Sequence, residues 1–378
     1  MAELPAHVTA ALRRLTAPAC AYLYDTQTLV TRARMLRSAL PPRATFLYAV
    51  KANGHPSVIA TLAQEADGLE VASGGELSLA VSAGARRIVF GGPGKTDAEL
   101  AAAVTAGALI NVESAFEMRR MAGLGLSADI CVRVNRAGSS LRGSHSMTGT
   151  PTPFGIDSSQ LGAVLADVPP GLRVIGFHLH AVSNNLDGAA HAAFLTEAIT
   201  WSMSTARSYG IPLHVVNAGG GLGVDYTSSA SMDISALSGV SVPPGIELIL
   251  EPGRWLTADA GWYATEVLDL KTTHGRTFAV LRGGTHHFRL PAAWGYSHPF
   301  TVFPVPSWDR PYDRPSVANV EIDAVGELCT PRDVLTRGQK VSSLQAGDLL
   351  VFPRTGAYGW DISHHDFLRH NPPEFVIL

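Results

Sequence analysis

Lys51 ends a β-rich run, Thr45 to Val50, within the stretch Tyr48-Ala49-Val50-Lys51-Ala52-Asn53. A lysine at the lip of an apolar strand is either a snorkelling surface residue or a functional amine. Its company favours the amine: His180, the run Gly219-Gly220-Gly221, the group Glu251-Pro252-Gly253-Arg254, Cys329 and Tyr358. The glycines follow a strand and precede no Lys-Ser/Thr pair, so they do not form a P-loop. Their backbone N–H groups can instead make a concave nest for phosphate, although a tight turn also explains such a run. Glu251 and Arg254 add a carboxylate and a guanidinium after the eighth β-rich run, and Arg suits two-point phosphate contact. His178 and His180, alternating in a strand, face one side and offer a second reading, metal ligation in a hydrolase. That reading leaves Lys51 and the Gly–Arg phosphate site without a purpose. The adjacent pairs His286-His287 and His364-His365 would point opposite ways on a strand.

The elements that must hold these groups alternate. From about residue 25 to 255, short β-rich runs are separated by Ala- and Leu-rich helical stretches. The runs are Thr45–Val50, Leu69–Ser73, Arg87–Gly91, Leu109–Val112, Asp129–Val134, Val174–His180, His214–Asn217 and Glu247–Leu250. They predict an α/β fold, a (β/α)8 barrel, with an open doubly wound sheet as the alternative. Lys51, Ser73, Asn135, His180 with Ser183, Asn217 with the glycines, and Glu251 all follow the carboxyl end of their strand. Barrel enzymes assemble their sites on that face.

Beyond Gly253 the character changes. Prolines cluster from Pro291 to Pro315, and runs such as Phe278–Arg282, Ala318–Val325 and Asp348–Phe352 predict a second, mostly β domain. The run Ala21-Tyr22-Leu23-Tyr24 is expected to pair into it. The expected division is a barrel over 26–258 and a β-rich domain from 1–25 and 259–378. Ser139–Pro153, rich in Ser, Gly and Thr, reads as a mobile loop at the barrel mouth. There is no internal repeat.

Composition narrows the classes. The chain has 378 residues, 46% hydrophobic and 16% charged, enough for a large core and more than one domain. A net charge of -3 gives no footprint for nucleic acid or a membrane surface. Three cysteines, Cys20, Cys131 and Cys329, are odd in number and far apart, which points to a reducing compartment. Cys20 and Cys131 read as buried fillers, and Trp201 and Met203 as core of a barrel helix. No segment reaches ~18 uninterrupted apolar residues, and the start lacks a signal peptide's basic-then-apolar order. A soluble, cytoplasmic protein is expected.

Together these motifs resemble the pyridoxal-phosphate decarboxylases of the alanine-racemase-like fold, the group holding ornithine/arginine and diaminopimelate decarboxylases. The resemblance runs nearly end to end and in order. Tyr-Ala-Val-Lys-Ala-Asn is similar to the motif whose lysine, here Lys51, carries pyridoxal 5'-phosphate. Glu70-Val71-Ala72-Ser73-Gly74-Gly75-Glu76-Leu77 resembles the second-strand motif. Gly176-Phe177-His178-Leu179-His180 with Ser183 resembles the segment whose later His stacks on the cofactor ring and whose Ser helps hold its phosphate. Asn217-Ala218-Gly219-Gly220-Gly221-Leu222-Gly223 resembles the phosphate loop. Glu251-Pro252-Gly253-Arg254 resembles the element whose Glu pairs with the pyridine nitrogen. Gly326-Glu327-Leu328-Cys329 and Gly356-Ala357-Tyr358 resemble the catalytic Cys and the phosphate-contacting Tyr. The resemblance further implies a homodimer with shared sites, because that Cys reaches the site from the partner subunit, and it implies no metal.

The departures concern the substrate. Relatives that cleave diamines or diaminopimelate carry an acid after the Cys to read a distal ammonium. Here the sequence is Cys329-Thr330-Pro331-Arg332-Asp333, and an unpaired buried ammonium costs several kcal/mol. Arg332, with His287 and Arg289, is positioned in sequence to receive a carboxylate instead. The Gly expected between the stacking His and the Ser is Val182. The segment Gly356 to Phe367, with Trp360 and His364-His365, resembles the branch that decarboxylates citrate-conjugated amino acids in siderophore synthesis, such as citryl-diaminopropionate. The alternatives are a decarboxylase of free diaminopimelate, ornithine or lysine, a pyridoxal-phosphate racemase, and a non-enzymatic homologue. A racemase typically offers Arg to the pyridine nitrogen, against Glu251. A non-enzymatic homologue should have lost Lys51.

Overall fold

The computed structural model describes residues 3–138, 141–228 and 230–378. It divides into two compact units: one of Leu29–Val224 and Ala230–Leu256, the other of Met1–Thr28, Asp225–Ser229 and Thr257–Leu378.

Eight parallel strands close the first unit into a barrel. They are β1 (Ala44–Ala49), β2 (Gly68–Val71), β3 (Ile88–Phe90), β4 (Leu109–Val112), β5 (Ala128–Asn135), β6 (Leu172–His178), β7 (Val215–Asn217) and β8 (Glu247–Leu250). Each pairs with the next, and β8 returns to β1. Strands covered on both faces read as continuous apolar runs, which is why they were visible in sequence. Leu47, Val89, Cys131 and Val215, one from each odd-numbered strand, cluster with Ile249. That is the layered filling of a barrel interior. Cys131 is therefore a filler, and burial pushes its thiol up.

Helices begin promptly after the strands because the turns supply caps. The Ser73 and Ser114 hydroxyls accept the N–H groups of Glu76 and Glu117, and Thr96 with Glu99 forms a reciprocal capping box. Two expectations need correction. β6 ends at His178, so His180 lies in the loop beyond it and does not alternate with His178 on a strand. The stretch read as a mobile loop is held in place where described, Ser139 and Ser140 lying outside the described residues. His145–Ser146 pairs antiparallel with Val182–Ser183, and the Arg136 N–H donates to Thr148 Oγ1 at 2.7 Å. Polar side chains there satisfy the backbone without an apolar pattern.

The second unit is built on a sheet. Cys20–Tyr24 pairs antiparallel with Gly261–Thr273 and parallel with Glu374–Ile377, as the aromatic run led us to expect. Gly261–Thr273 also pairs with Leu349–Pro353 and Arg276–Leu281, and Ser316–Val325 pairs with Val334–Gln345. Val8, Leu12, Leu23, Trp262, Leu349 and Val351 form part of its core. Among the described residues no helix is long and apolar enough to cross a membrane.

Candidate active site

The carboxyl ends of the barrel strands bring one set of groups together. Lys51 sits in a single helical turn, Val50–Ala52, directly after β1. Its side chain is 44% exposed, and its Nζ lies 2.7 Å from Glu70 Oε2 at the end of β2. Burial raises the Glu70 carboxyl above its ordinary range, and the charge of Glu251 adds to this, while Lys51 opposes it. The amine is thus reachable and already oriented. Glu70 was not singled out from sequence; a glutamate inside a buried strand was the available signal.

Glu251 follows β8 and is the hub. Its Oε1 accepts from the Asn217 amide at 2.6 Å and the Asn111 amide at 3.5 Å, and Oε2 lies 3.5 Å from His178 Nε2. Burial works to raise its carboxyl, but His178, Lys51 and Asn217 outweigh it and hold the group well below the usual carboxylate range. Its loop interlocks with that of Lys51. The Ala49 N–H donates to the Pro252 carbonyl at 3.2 Å, and a Cβ on Gly253 would lie 2.8 Å from that of Ala52. Arg254, also buried, opens the short helix Arg254–Thr257.

The glycine loop after β7 packs under His180. Gly219 and Gly221 take φ of 69° and 111°, the region that favours glycine. A Cβ on Gly219 would enter the His180 ring, and one on Gly220 would lie 2.6 Å from the Glu251 carbonyl. The Gly220 N–H donates to His180 Nδ1 at 2.9 Å, which places the ring's own proton on Nε2. Burial first, then the charges of Arg133 and Lys51, hold His180 well below its usual range, so it stays neutral. Arg133 is fixed by Glu113 at 2.7 Å, a buried pair that sequence reasoning missed. Ser183 is half-buried, and its carbonyl accepts the Ser144 N–H at 2.8 Å.

The remaining groups belong to the second unit. Cys329 is an exposed free thiol. Arg289, Thr330, Arg332, Arg337 and His364 line a cleft of about 650 Å³. Arg289 and Arg332 are exposed, and among the described residues neither guanidinium meets a carboxylate, whereas Arg337 reaches Asp323 at 3.8 Å. Burial lowers His364, and the nearby charge of Arg289 lowers it further. His287 does not join them. It is fully buried, its Nδ1 3.4 Å from both Cys20 Sγ and Tyr263 Oη, and burial with His286 pushes it down to about 2. A neutral, enclosed imidazole has no charge to offer a carboxylate. Tyr358 takes φ of 53°, and on the neighbouring Gly359 a Cβ would lie 2.7 Å from the Thr355 carbonyl and from the Tyr22 hydroxyl. Among the described residues no group of three His, Cys, Asp or Glu side chains is arranged to hold a metal ion.

A closed parallel barrel carrying an oriented amine, a buried anionic carboxylate and a neutral imidazole at its strand ends defines a cofactor-dependent enzyme working through an amine. Residues 26–258 match the family model described as pyridoxal-dependent decarboxylase, pyridoxal binding domain. The chain is 38% identical over 387 residues to a 2-[(L-alanin-3-ylcarbamoyl)methyl]-2-hydroxybutanedioate decarboxylase of Staphylococcus aureus, covering 97% of this chain and 96% of that one. It is 33% identical to a diaminopimelate decarboxylase of Deinococcus radiodurans, covering 94% and 89%. The fold of a Helicobacter pylori diaminopimelate decarboxylase, complexed with L-lysine, superposes with a TM-score of 0.83 at 24% identity, covering 98% and 94%. The chain belongs to the pyridoxal-dependent decarboxylases, and is a carboxy-lyase that uses pyridoxal phosphate. The residues fit that group: Glu251 is a buried anion of the kind a protonated ring nitrogen would need, and Lys51 offers an exposed amine oriented by Glu70.

Proposed function

We propose that this enzyme releases CO2 from the amino-acid end of a carboxylate-rich conjugate, such as citryl-diaminopropionate, in siderophore synthesis. The observation that carries the reading is the cleft beside Thr330, where Arg332 and Arg289 present charge that meets no carboxylate among the described residues. The Staphylococcus aureus relative's substrate, by its name, bears such a far end. A distal ammonium would meet like charge there.

Bound pyridoxal phosphate supplies the electron sink that the amino acid's Cα needs when CO2 leaves. Lys51 would attach the cofactor through its amine. Glu251 would keep the ring nitrogen protonated, because an adjacent opposite charge favours the charged form. His180, held neutral, would stack on the ring. Gly221, Ser183, Gly253, Arg254 and Tyr358 would hold the phosphate through backbone N–H groups, hydroxyls and the guanidinium, while Gly219 and Gly220, whose own N–H groups donate to Asn217 Oδ1 and His180 Nδ1, would leave room for it. Cys329 returns the proton to Cα. In this reading the active enzyme is a homodimer in which the domain of 1–25 and 259–378 lends Cys329 to the partner's barrel of 26–258. The absence of any cysteine pairing supports a reducing, cytoplasmic setting.

Arg332→Ala tests the substrate assignment. A charge-assisted hydrogen bond contributes about 1.5–3 kcal/mol, so KM for the conjugate should rise by one to two powers of ten while cofactor binding is kept. An unchanged KM removes Arg332 from the site.

A further inference from the structure

The connection that carries Cys329, between Ser316–Val325 and Val334–Gln345, is a set of interlocking turns. The Thr330 N–H donates to the Leu328 carbonyl at 2.8 Å, making Cys329 the centre of a three-residue turn. The Asp333 N–H donates to the Thr330 carbonyl at 3.1 Å, a four-residue turn with Pro331 and Arg332 at its centre. Proline favours that first central place. Asp333 then folds back over both turns. Its Oδ2 accepts the Leu328 N–H at 2.8 Å and its Oδ1 the Thr285 N–H at 2.6 Å. The residue is 2% exposed. Two glycines make room for it: a Cβ on Gly284 would lie 2.5 Å from Oδ1, and one on Gly326 would run into Oδ2. Glu327 fastens the other flank, accepting the Gly283 N–H at 2.9 Å and pairing with Arg282.

We propose that Asp333 is a positioning residue: its carboxylate ties Leu328 to Thr285 and so fixes the backbone from which the Cys329 thiol and the Arg332 side chain project. This rests on the roles given above to Cys329 and Arg332. Only an acceptor with two oxygens on a short stem serves both N–H groups. Asparagine keeps the volume but offers one oxygen, and turns an NH2 donor toward the other N–H.

The test compares wild type and Asp333→Asn, both loaded with cofactor, by three readouts. Hydrogen exchange at the Leu328 amide should accelerate at least about tenfold, as expected for loss of one charge-assisted bond. The rate of Cys329 carboxymethylation by iodoacetate should change by more than about threefold, and kcat should fall by about tenfold. Wild-type rates of exchange and alkylation in the variant overturn the proposal; an unchanged kcat when both rates have changed overturns instead the catalytic role given to Cys329. If Asp333→Asn fails to fold, the wild-type protein decides: an unprotected Leu328 amide also overturns it. Exchange and alkylation need no turnover, so they separate failure of this inference from failure of the roles assigned to Cys329 and Arg332.

Discussion

Replacing Glu251 by glutamine removes one charge and almost no volume. The new amide oxygen can still accept from Asn217, whose nitrogen lies 2.6 Å from Glu251 Oε1, while the new NH2 faces His178 across 3.5 Å. The scaffold therefore survives, and what disappears is the anion that would keep the ring nitrogen protonated. A hydrogen bond to a charged group contributes about 1.5–3 kcal/mol, against about 0.5–1.5 for a neutral one. Because the interaction matters most while electrons leave Cα, the loss falls on the transition state. The difference, about 1–1.5 kcal/mol, should lower kcat by about one power of ten, since each 1.36 kcal/mol is tenfold in rate. Cofactor affinity should weaken far less. The assay is CO2 release at saturating substrate and cofactor, alongside a cofactor titration followed by absorbance. If kcat stays within about twofold of wild type while cofactor affinity collapses, Glu251 is a structural contact and the reasoning fails.

The shared-site dimer is tested by mixing inactive Lys51→Ala and Cys329→Ala subunits. Random exchange should restore about one quarter of wild-type activity, because half the dimers are hybrids and each hybrid has one intact site; no recovery after verified exchange means the sites are not shared. Acid sensitivity should trace in part to His191, which is buried, finds no hydrogen-bond partner for either ring nitrogen among the described residues, and is pushed down by burial to about 4. The unfolded chain takes up a proton near pH 6.5 that the folded protein refuses, so stability falls as pH drops, by about 2 kcal/mol between pH 7 and pH 5. His191→Leu should flatten that slope in urea denaturation, and an unchanged slope would contradict the assignment.

Most of the barrel was legible because strands buried on both faces are short apolar runs closed by polar or glycine residues. β4 and β8 match the runs read from sequence at both ends. β6 was overextended because Leu179 continues the apolar pattern beyond His178, its N–H making a final bond to the Asn217 carbonyl at 2.8 Å. Gly261–Thr273 went unread because its outer half carries Asp269 and Lys271 and is broken by an irregularity between Val267 and Asp269. Individual site residues at strand ends were legible by type, but their couplings were not. Asn217 meets Glu251 only because β7 pairs with β8, and Glu70 meets Lys51 only because β1 pairs with β2. His287 was misleading for a related reason: beside His286 and Arg289 it reads as cationic, and only the fold shows it enclosed by Cys20 and Tyr263.

The central claim is decarboxylation of an amino acid whose far end is rich in carboxylate. The direct measurement offers the cofactor-loaded protein citryl-diaminopropionate, free diaminopropionate, ornithine, lysine and meso-diaminopimelate, and traps the CO2 released. Stoichiometric CO2 is expected from the citrate conjugate, with kcat/KM at least about tenfold above that of any free amino acid in the panel. Efficient release from ornithine, lysine or meso-diaminopimelate, with none from the conjugate, would contradict it.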